Sequence, residues 1–99
     1  MAAERTVRLS KQAESDLEDI WLYTLETWSL EQAETYHSLL NQAFDGLAAN
    51  TKVGRIADIR DGYFKYSVGS HLIFYKITTL HLDVIRILHQ RMDVSRHLN

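Results

Sequence analysis

This sequence contains neither cysteine nor proline, and only four of its 99 residues are glycine. Without cysteine there is no disulfide, no thiolate nucleophile and no cysteine-ligated zinc site. Without proline, the helices must end through other signals. No apolar run approaches the roughly 20 residues that a membrane span needs, and the first ten residues lack the apolar core of a signal peptide. We therefore expect a cytoplasmic protein.

Charge is distributed unevenly along the chain. Apolar residues make up 45% and charged residues 24% of the sequence, as in an ordinary globular protein, so we expect residues 1–99 to form a single domain. The net charge of −2 argues against simple electrostatic binding of nucleic acid. However, residues 1–51 carry nine acidic and three basic side chains, whereas residues 52–99 carry four acidic and eight basic ones. The C-terminal half is thus the better candidate for contact with an anionic partner.

Two amphipathic helices are predicted in the first half, after a short strand. Ser10 can cap the first helix, in which apolar residues recur at steps of three and four up to Trp28. Ser29 and Gln32 form a capping-box pattern for the second helix, and Asn50 can end it. Because almost nothing separates the helices, we expect an antiparallel αα hairpin, with Trp28 packed at its turn.

The second half changes to the period of β-strands. Residues 63–68, 71–78 and 82–89 are rich in aromatic and β-branched side chains and are separated by short turns. The last of them is apolar on both sides, which predicts an interior strand. The fold class is therefore α+β in the order β-α-α-β-β-β, an antiparallel sheet with an αα hairpin packed on one face. Since no further helix is predicted, the other face should lie uncovered and serve as a binding surface.

The pattern of several short stretches resembles the ParE toxins of type II toxin–antitoxin systems, within the ParE/RelE superfamily. The resemblance covers nearly the whole chain, and its last two stretches are the most family-specific. The stretches are LSKQAESDLEDIW in the first helix, Ala33 to Tyr36, Gly54–Arg55, Arg60 to Tyr63, GSHLIFY at residues 69–75 and ILHQRMD at residues 87–93.

This resemblance implies a toxin that inhibits DNA gyrase without catalysis of its own and is neutralised by a ParD-like antitoxin, a ribbon-helix-helix DNA-binding protein. RelE-like toxins share the fold but cut messenger RNA on the ribosome, so a ribosome-dependent endoribonuclease is the alternative. A third interpretation is a relative that has lost potency and persists as a binding module. None of the three implies a cofactor or a membrane partner, and nucleic acid is contacted only through the antitoxin or gyrase.

A nuclease site would need a base, an acid and clustered cations, for which His89, Arg91 and Arg86 are the candidates. Strand alternation places Arg86 on the opposite side from His89 and Arg91, so only a bend would unite them. The cation cluster is thin, and the favoured interpretation of His89 is a strand-end histidine that donates a hydrogen bond to backbone or to Asp93. No histidine pair has the spacing of metal ligands, so we expect no metal.

Two partner surfaces follow from these interpretations. The surface facing gyrase is predicted to comprise Arg60, Lys65, His89, Arg91 and Arg96. The antitoxin-binding surface is predicted to comprise Trp28, Tyr36, Phe64, Tyr66, Leu72 and Phe74. The aromatic and aliphatic character of the second set suits a helix laid in a groove or an added strand.

Overall fold

The computed structural model of the protein describes residues 4–98. Its elements are β1 (Thr6–Leu9), α1 (Lys11–Thr27), α2 (Leu30–Ala48), β2 (Arg55–Ile56), β3 (Phe64–Val68), β4 (His71–Ile77), β5 (His81–His89) and α3 (Val94–His97). The predicted first strand, the αα hairpin and the three C-terminal strands are confirmed. The two-residue strand β2 and the short helix α3 have no counterpart in the prediction. No helix among these residues is long and apolar enough to cross a membrane.

The sheet has the strand order β1-β5-β4-β3-β2. Strands β2 to β5 pair antiparallel, but β1 pairs parallel with β5. The sheet is therefore mixed, and the prediction of a purely antiparallel sheet is wrong in this respect. The sheet is mixed because the β3–β4–β5 meander leaves one edge of β5 free, and β1 pairs with that edge in the parallel direction. An Arg8–Asp83 ion pair of 2.7 Å spans the parallel pair.

Capping side chains begin both long helices where the sequence predicts. The Ser10 hydroxyl accepts from the amide of Ala13 and donates to the carbonyl of Ile85, which ties the start of α1 to β5. The Ser29 hydroxyl accepts from the amide of Gln32. Trp28, expected to pack at the turn, is instead 70% exposed.

The main core lies between the hairpin and one face of the sheet. Leu40, Phe44 and Leu47 of α2 are almost fully buried against Ile73 of β4 and Val84 of β5. Full burial of such side chains stabilises a fold by about 1.5–3 kcal/mol each. The helix α2 then ends at Ala48, and Asn50 adopts the left-handed conformation (φ 64°) that stops it.

The opposite face of the sheet is covered in its centre, contrary to the prediction. Asp93 caps α3, and the chain end folds back so that Leu98 packs on Phe74 and Leu88. Ala57, in the connection after β2, completes this second cluster. Phe74 is only 1% exposed as a result. The sequence did not reveal this layer because a four-residue helix is too short to show a hydrophobic period.

Candidate functional site

A partly buried ion pair holds the middle of β5 to helix α1. Arg86 donates from Nε and Nη2 to the two carboxylate oxygens of Asp16, at 2.8 and 2.9 Å, and from Nη1 to the carbonyl of His97. The same carboxylate accepts from the amide of Ile87. These bonds raise the pKa of Arg86 above its ordinary value. Only 15% of the Arg86 side chain and 12% of the Asp16 side chain are exposed. The Arg86 guanidinium therefore has a structural role, since its hydrogen bonds go to Asp16 and to the backbone.

A β-bulge aims Arg86 at this carboxylate. Phe74 pairs with Arg86 and Tyr75 pairs with Val84, which leaves Ile85 as an extra residue in β5. Bulges re-aim side chains in this way. The strand thus contains a bend, which the nuclease interpretation would require, but this bend directs Arg86 to Asp16 rather than to His89.

A cavity lies at the turn end of the αα hairpin, and we call it the hairpin cleft. Its volume is about 410 Å³. The residues that line it are Tyr23, Thr24 and Trp28 of α1 with the adjoining turn, Gln32 and Tyr36 of α2, Ser70, and His71 and His89 of β4 and β5. None of these side chains carries a formal charge when His71 and His89 are neutral.

A hydrogen-bonded chain forms the floor of the hairpin cleft. The Tyr36 hydroxyl lies 2.9 Å from the carbonyl oxygen of Val68 and 2.6 Å from Nδ1 of His71. A carbonyl can only accept, so the single hydroxyl hydrogen goes to Val68 and His71 must donate from Nδ1. Burial raises the pKa of Tyr36, which keeps this hydrogen in place. Neutral His71 consequently has an unprotonated Nε2.

The turn beside this chain requires glycine. Gly69 has a φ of 54°, in the left-handed region, and a Cβ there would lie 2.7 Å from the ring of Tyr36. A side chain at this position would therefore push Tyr36 away from His71. The close approach of the turn to α2 is what brings the two aromatic groups into hydrogen-bonding range.

His89 completes the floor from the neighbouring strand. Its ring meets the ring of His71 edge to face with centroids 5.3 Å apart, and the two residues are register partners. Nδ1 of His89 accepts from the backbone amide of Arg91, so in this geometry its proton lies on Nε2. His89 was expected to donate a hydrogen bond to backbone or to Asp93; a bond to nearby backbone is present, but the ring accepts it, so the predicted direction is wrong. His71 was not among the predicted site residues, although strand register alone would have placed it opposite His89.

A second candidate surface is the face of the sheet opposite the hairpin. This face carries four cationic side chains, and we call it the basic face. They are Arg55, Arg60, Lys65 and Lys76. Lys65 pairs across strands with Phe74, and Lys76 lies with its Nζ 5.5 Å from the centre of the Tyr63 ring. None of these four cations forms an ion pair within residues 4–98. The charge asymmetry of the sequence thus becomes an acidic hairpin on one side and a basic sheet face on the other.

Comparison with known proteins decides what this arrangement is. Residues 7–94 match the family model described as the ParE toxin of type II toxin–antitoxin systems, parDE. The chain belongs to the ParE toxin family. Toxin ParE1 of Mycobacterium tuberculosis is 50% identical over 92 residues, which cover 91% of this chain and 94% of that protein. Toxin ParE1 of Caulobacter vibrioides is 37% identical, covering 92% and 95%.

Solved structures agree with the ParE fold. A chain of the chromosomal ParDE toxin–antitoxin system from P. aeruginosa superposes with a TM-score of 0.75 at 16% identity, covering 87% of this chain and 96% of that one. A chain of the RelBE2 toxin–antitoxin complex from Mycobacterium tuberculosis superposes with a TM-score of 0.62 at 21% identity, covering 90% and 94%. At these identities the likeness shows the fold alone. The resemblance to ParE toxins inferred from the sequence is confirmed.

The three candidate catalytic side chains of this ParE-family protein have separate surroundings. Arg86 is bound to Asp16, His89 lines the hairpin cleft, and Arg91 is exposed in the turn after β5. No group of three potential metal ligands forms within residues 4–98. The arrangement offers polar recognition in the hairpin cleft and cationic contact on the basic face.

The predicted gyrase-facing residues divide between two sides of the ParE fold. Arg60 and Lys65 belong to the basic face, and Arg96 lies on α3, which packs on the same side. Arg96 is exposed, with Asp93 3.6 Å away. His89, in contrast, lies on the hairpin side.

The predicted antitoxin-binding residues also divide. Trp28 and Tyr36 line the hairpin cleft. Phe64 and Tyr66 are half-buried beneath the hairpin, where Phe64 stacks on Tyr75. Leu72 is half-buried in the cluster on the other face, together with the fully buried Phe74. Of this set, only Trp28 is extensively exposed, so contact with Phe74 would require α3 to move.

The stability of the fold should decrease as the pH falls through the titration of His71. Burial, and then the neighbouring His89, lower the pKa of His71 below its ordinary 6.5. At pH values below 6.5, the unfolded chain binds a proton at His71 more readily than the folded chain does. The free energy of unfolding is therefore highest above pH 6.5 and decreases as the pH falls toward the lower pKa of His71 in the folded state. Urea unfolding from pH 7.5 to 5.0 measures this slope.

The variant His71→Gln should show a shallower loss of stability than the natural chain across this pH range. His97→Gln, at an exposed position of α3, serves as the control and should retain the natural slope. Equal slopes for all three proteins would show that His71 does not contribute.

Proposed function

We propose that this ParE-type toxin inhibits DNA gyrase by binding it, without catalysis, and that a ParD-like antitoxin neutralises it in the cytoplasm. The observation that carries the proposal is the family match over residues 7–94, supported by 50% identity to Toxin ParE1 of Mycobacterium tuberculosis. The two opposed surfaces of the fold give such a protein room for two partners.

The basic face is the proposed gyrase-facing surface. Arg60 and Lys65 stand there without carboxylate partners, and Arg96 of α3 extends the positive charge toward the chain end. Arg91 is also exposed, in the turn that precedes α3. Exposed cations of this kind accelerate and orient association with an anionic surface. His89, on the hairpin side, is not part of this contact.

The hairpin is the proposed antitoxin-facing surface. Trp28 is 70% exposed, and Tyr23, Leu22 and Leu30 nearby are 65%, 44% and 54% exposed. A cluster of large apolar side chains around one helix turn is typical of a surface that a partner covers. The structural neighbours from P. aeruginosa and Mycobacterium tuberculosis come from toxin–antitoxin systems, which supports an antitoxin as that partner.

Messenger RNA cleavage is less well supported. It would need Arg86, which Asp16 holds, in register with His89 and Arg91. Freeing Arg86 would leave the partly buried carboxylate of Asp16 without its cation, at a cost of about 2 kcal/mol. The binding interpretation needs no such rearrangement.

We expect that expression of the chain without its antitoxin arrests growth through DNA damage, and that the purified protein inhibits DNA supercoiling by gyrase. Co-expression of the antitoxin should restore growth. Supercoiling of relaxed plasmid at increasing toxin concentration is the measurement, with toxin premixed with antitoxin as the control. Full supercoiling at saturating toxin, together with codon-specific cuts in messenger RNA from arrested cells, would establish the nuclease interpretation instead.

A further inference from the structure

The two helices that wall the hairpin cleft carry acidic side chains and, after Lys11, no basic ones. Between Lys11 and Lys52 the sequence holds eight aspartate and glutamate residues and no lysine or arginine. Glu26 and Glu31, which flank the turn at Trp28, are both exposed. This surface attracts a cationic group and repels phosphate or carboxylate.

Two exposed aromatic rings form the outer wall of the hairpin cleft. Trp28 is 70% and Tyr23 65% exposed, and both line the cavity. Exposed tryptophan and tyrosine faces attract cations through the ring quadrupole, and tryptophan does so most strongly. A planar guanidinium also stacks on such a face, which an ammonium does not.

The floor of the hairpin cleft offers an unused hydrogen-bond acceptor. With Nδ1 donating to Tyr36, the Nε2 atom of neutral His71 has no hydrogen and accepts no bond from the described residues. No buried side-chain nitrogen among them lacks a partner, so this atom is reached by solvent. It is therefore available to a donor that enters from outside.

We propose that the hairpin cleft binds the arginine side chain of a protein partner, with the guanidinium stacked on Trp28 and donating to Nε2 of His71. The acidic surroundings, the aromatic wall and the acceptor meet at one place, and arginine satisfies all three. This inference rests on the proposed function in one respect, since the antitoxin is the partner expected to carry the arginine.

Other occupants fit less well. A lysine side chain supplies charge but cannot stack as a plane. A nucleotide would bring phosphate against the carboxylates of the hairpin, and the lining of the cleft contains no lysine or arginine to offset it. An acidic side chain meets the same repulsion.

Protonation of His71 should release the arginine. The groups that act on this ring are Tyr36 of α2, His89 of β5 and Asp16 of α1, and Asp16 is held by Arg86. A protonated ring presents donors at both nitrogens and adds a like charge. Binding should thus be strongest at neutral pH and weaken toward pH 5.

Titration of the full chain with N-acetyl-arginine amide, followed by NMR of the Trp28 indole and the His71 ring, tests the site. We expect saturable shifts at both residues, with a dissociation constant on the order of millimolar. N-acetyl-lysine amide should bind about threefold or more weakly, and N-acetyl-citrulline amide, which has the shape without the charge, should give no saturation. Equal responses to arginine and citrulline would refute the guanidinium site.

Variants and pH supply the second arm of this experiment. Trp28→Ala should weaken arginine binding about fivefold or more, whereas Leu39→Ala, at an exposed position of α2 outside the cleft, should leave it unchanged. Smaller shifts at pH 5 than at pH 7 in the natural chain are also expected. Unchanged binding by Trp28→Ala would overturn the proposal. Because the probe contains no antitoxin or gyrase, its failure leaves the gyrase assay standing, and failure of that assay leaves the arginine site standing.

Discussion

Replacing Asp16 with alanine is expected to lower the free energy of unfolding by about 2 kcal/mol, because it leaves the partly buried guanidinium of Arg86 without its carboxylate. The amide of Ile87 loses its partner in the same change. For a domain whose total stability is about 5–15 kcal/mol, this loss is a large fraction. Urea denaturation followed by circular dichroism measures it.

The chain contains a matched control for this variant. Arg8 and Asp83 form an ion pair of similar length, but their side chains are 54% and 26% exposed, against 15% and 12% for Arg86 and Asp16. Asp83→Ala should therefore cost much less stability, because water screens the charge left behind. Asp16→Asn, which keeps an acceptor but not the charge, should fall between the two. Equal losses for Asp16→Ala and Asp83→Ala would show that burial of the pair is unimportant.

The double variant Arg91→Ala, Arg96→Ala is expected to raise the toxin concentration that half-inhibits gyrase by roughly 30-fold at low salt. Each exposed arginine at an interface contributes on the order of 1 kcal/mol, and about 1.4 kcal/mol corresponds to a factor of ten. The difference should shrink as salt is added, because screening shortens the range of these charges. Supercoiling assays at two ionic strengths measure it, and Lys11→Ala, an exposed cation on the hairpin side, is the control.

His89→Gln should have a mild effect in the same assay, since His89 lies in the hairpin cleft and not on the basic face. Glutamine keeps much of the size and hydrogen bonding but cannot transfer protons at neutral pH. Complete inactivation by His89→Gln, with an unchanged melting temperature, would make the end of β5 a catalytic site. In that case, the loss of gyrase inhibition on replacing Arg91 and Arg96 would no longer be evidence for a docking surface.

The amino-acid sequence alone determined the features that depend on near neighbours along the chain. Both long helices begin at the serines predicted to cap them, and the strands follow the period of two, because caps and hydrophobic periods involve residues only a few positions apart. The likeness to ParE toxins was also visible in the sequence. The order of the two long helices and the four main strands, and the family, therefore needed no tertiary structure.

Tertiary structure decided what depends on contacts between distant residues. Asp16 meets Arg86 across 70 positions, and Tyr36 meets His71 across 35. Neither contact has a local signature, because each is created by strand register, by the bulge at Ile85 and by the packing of the hairpin. The same long-range packing paired β1 parallel to β5 and covered Phe74 with the chain end. Sequence patterns report which face a residue occupies, whereas the partner it meets there is set only when the layers come together.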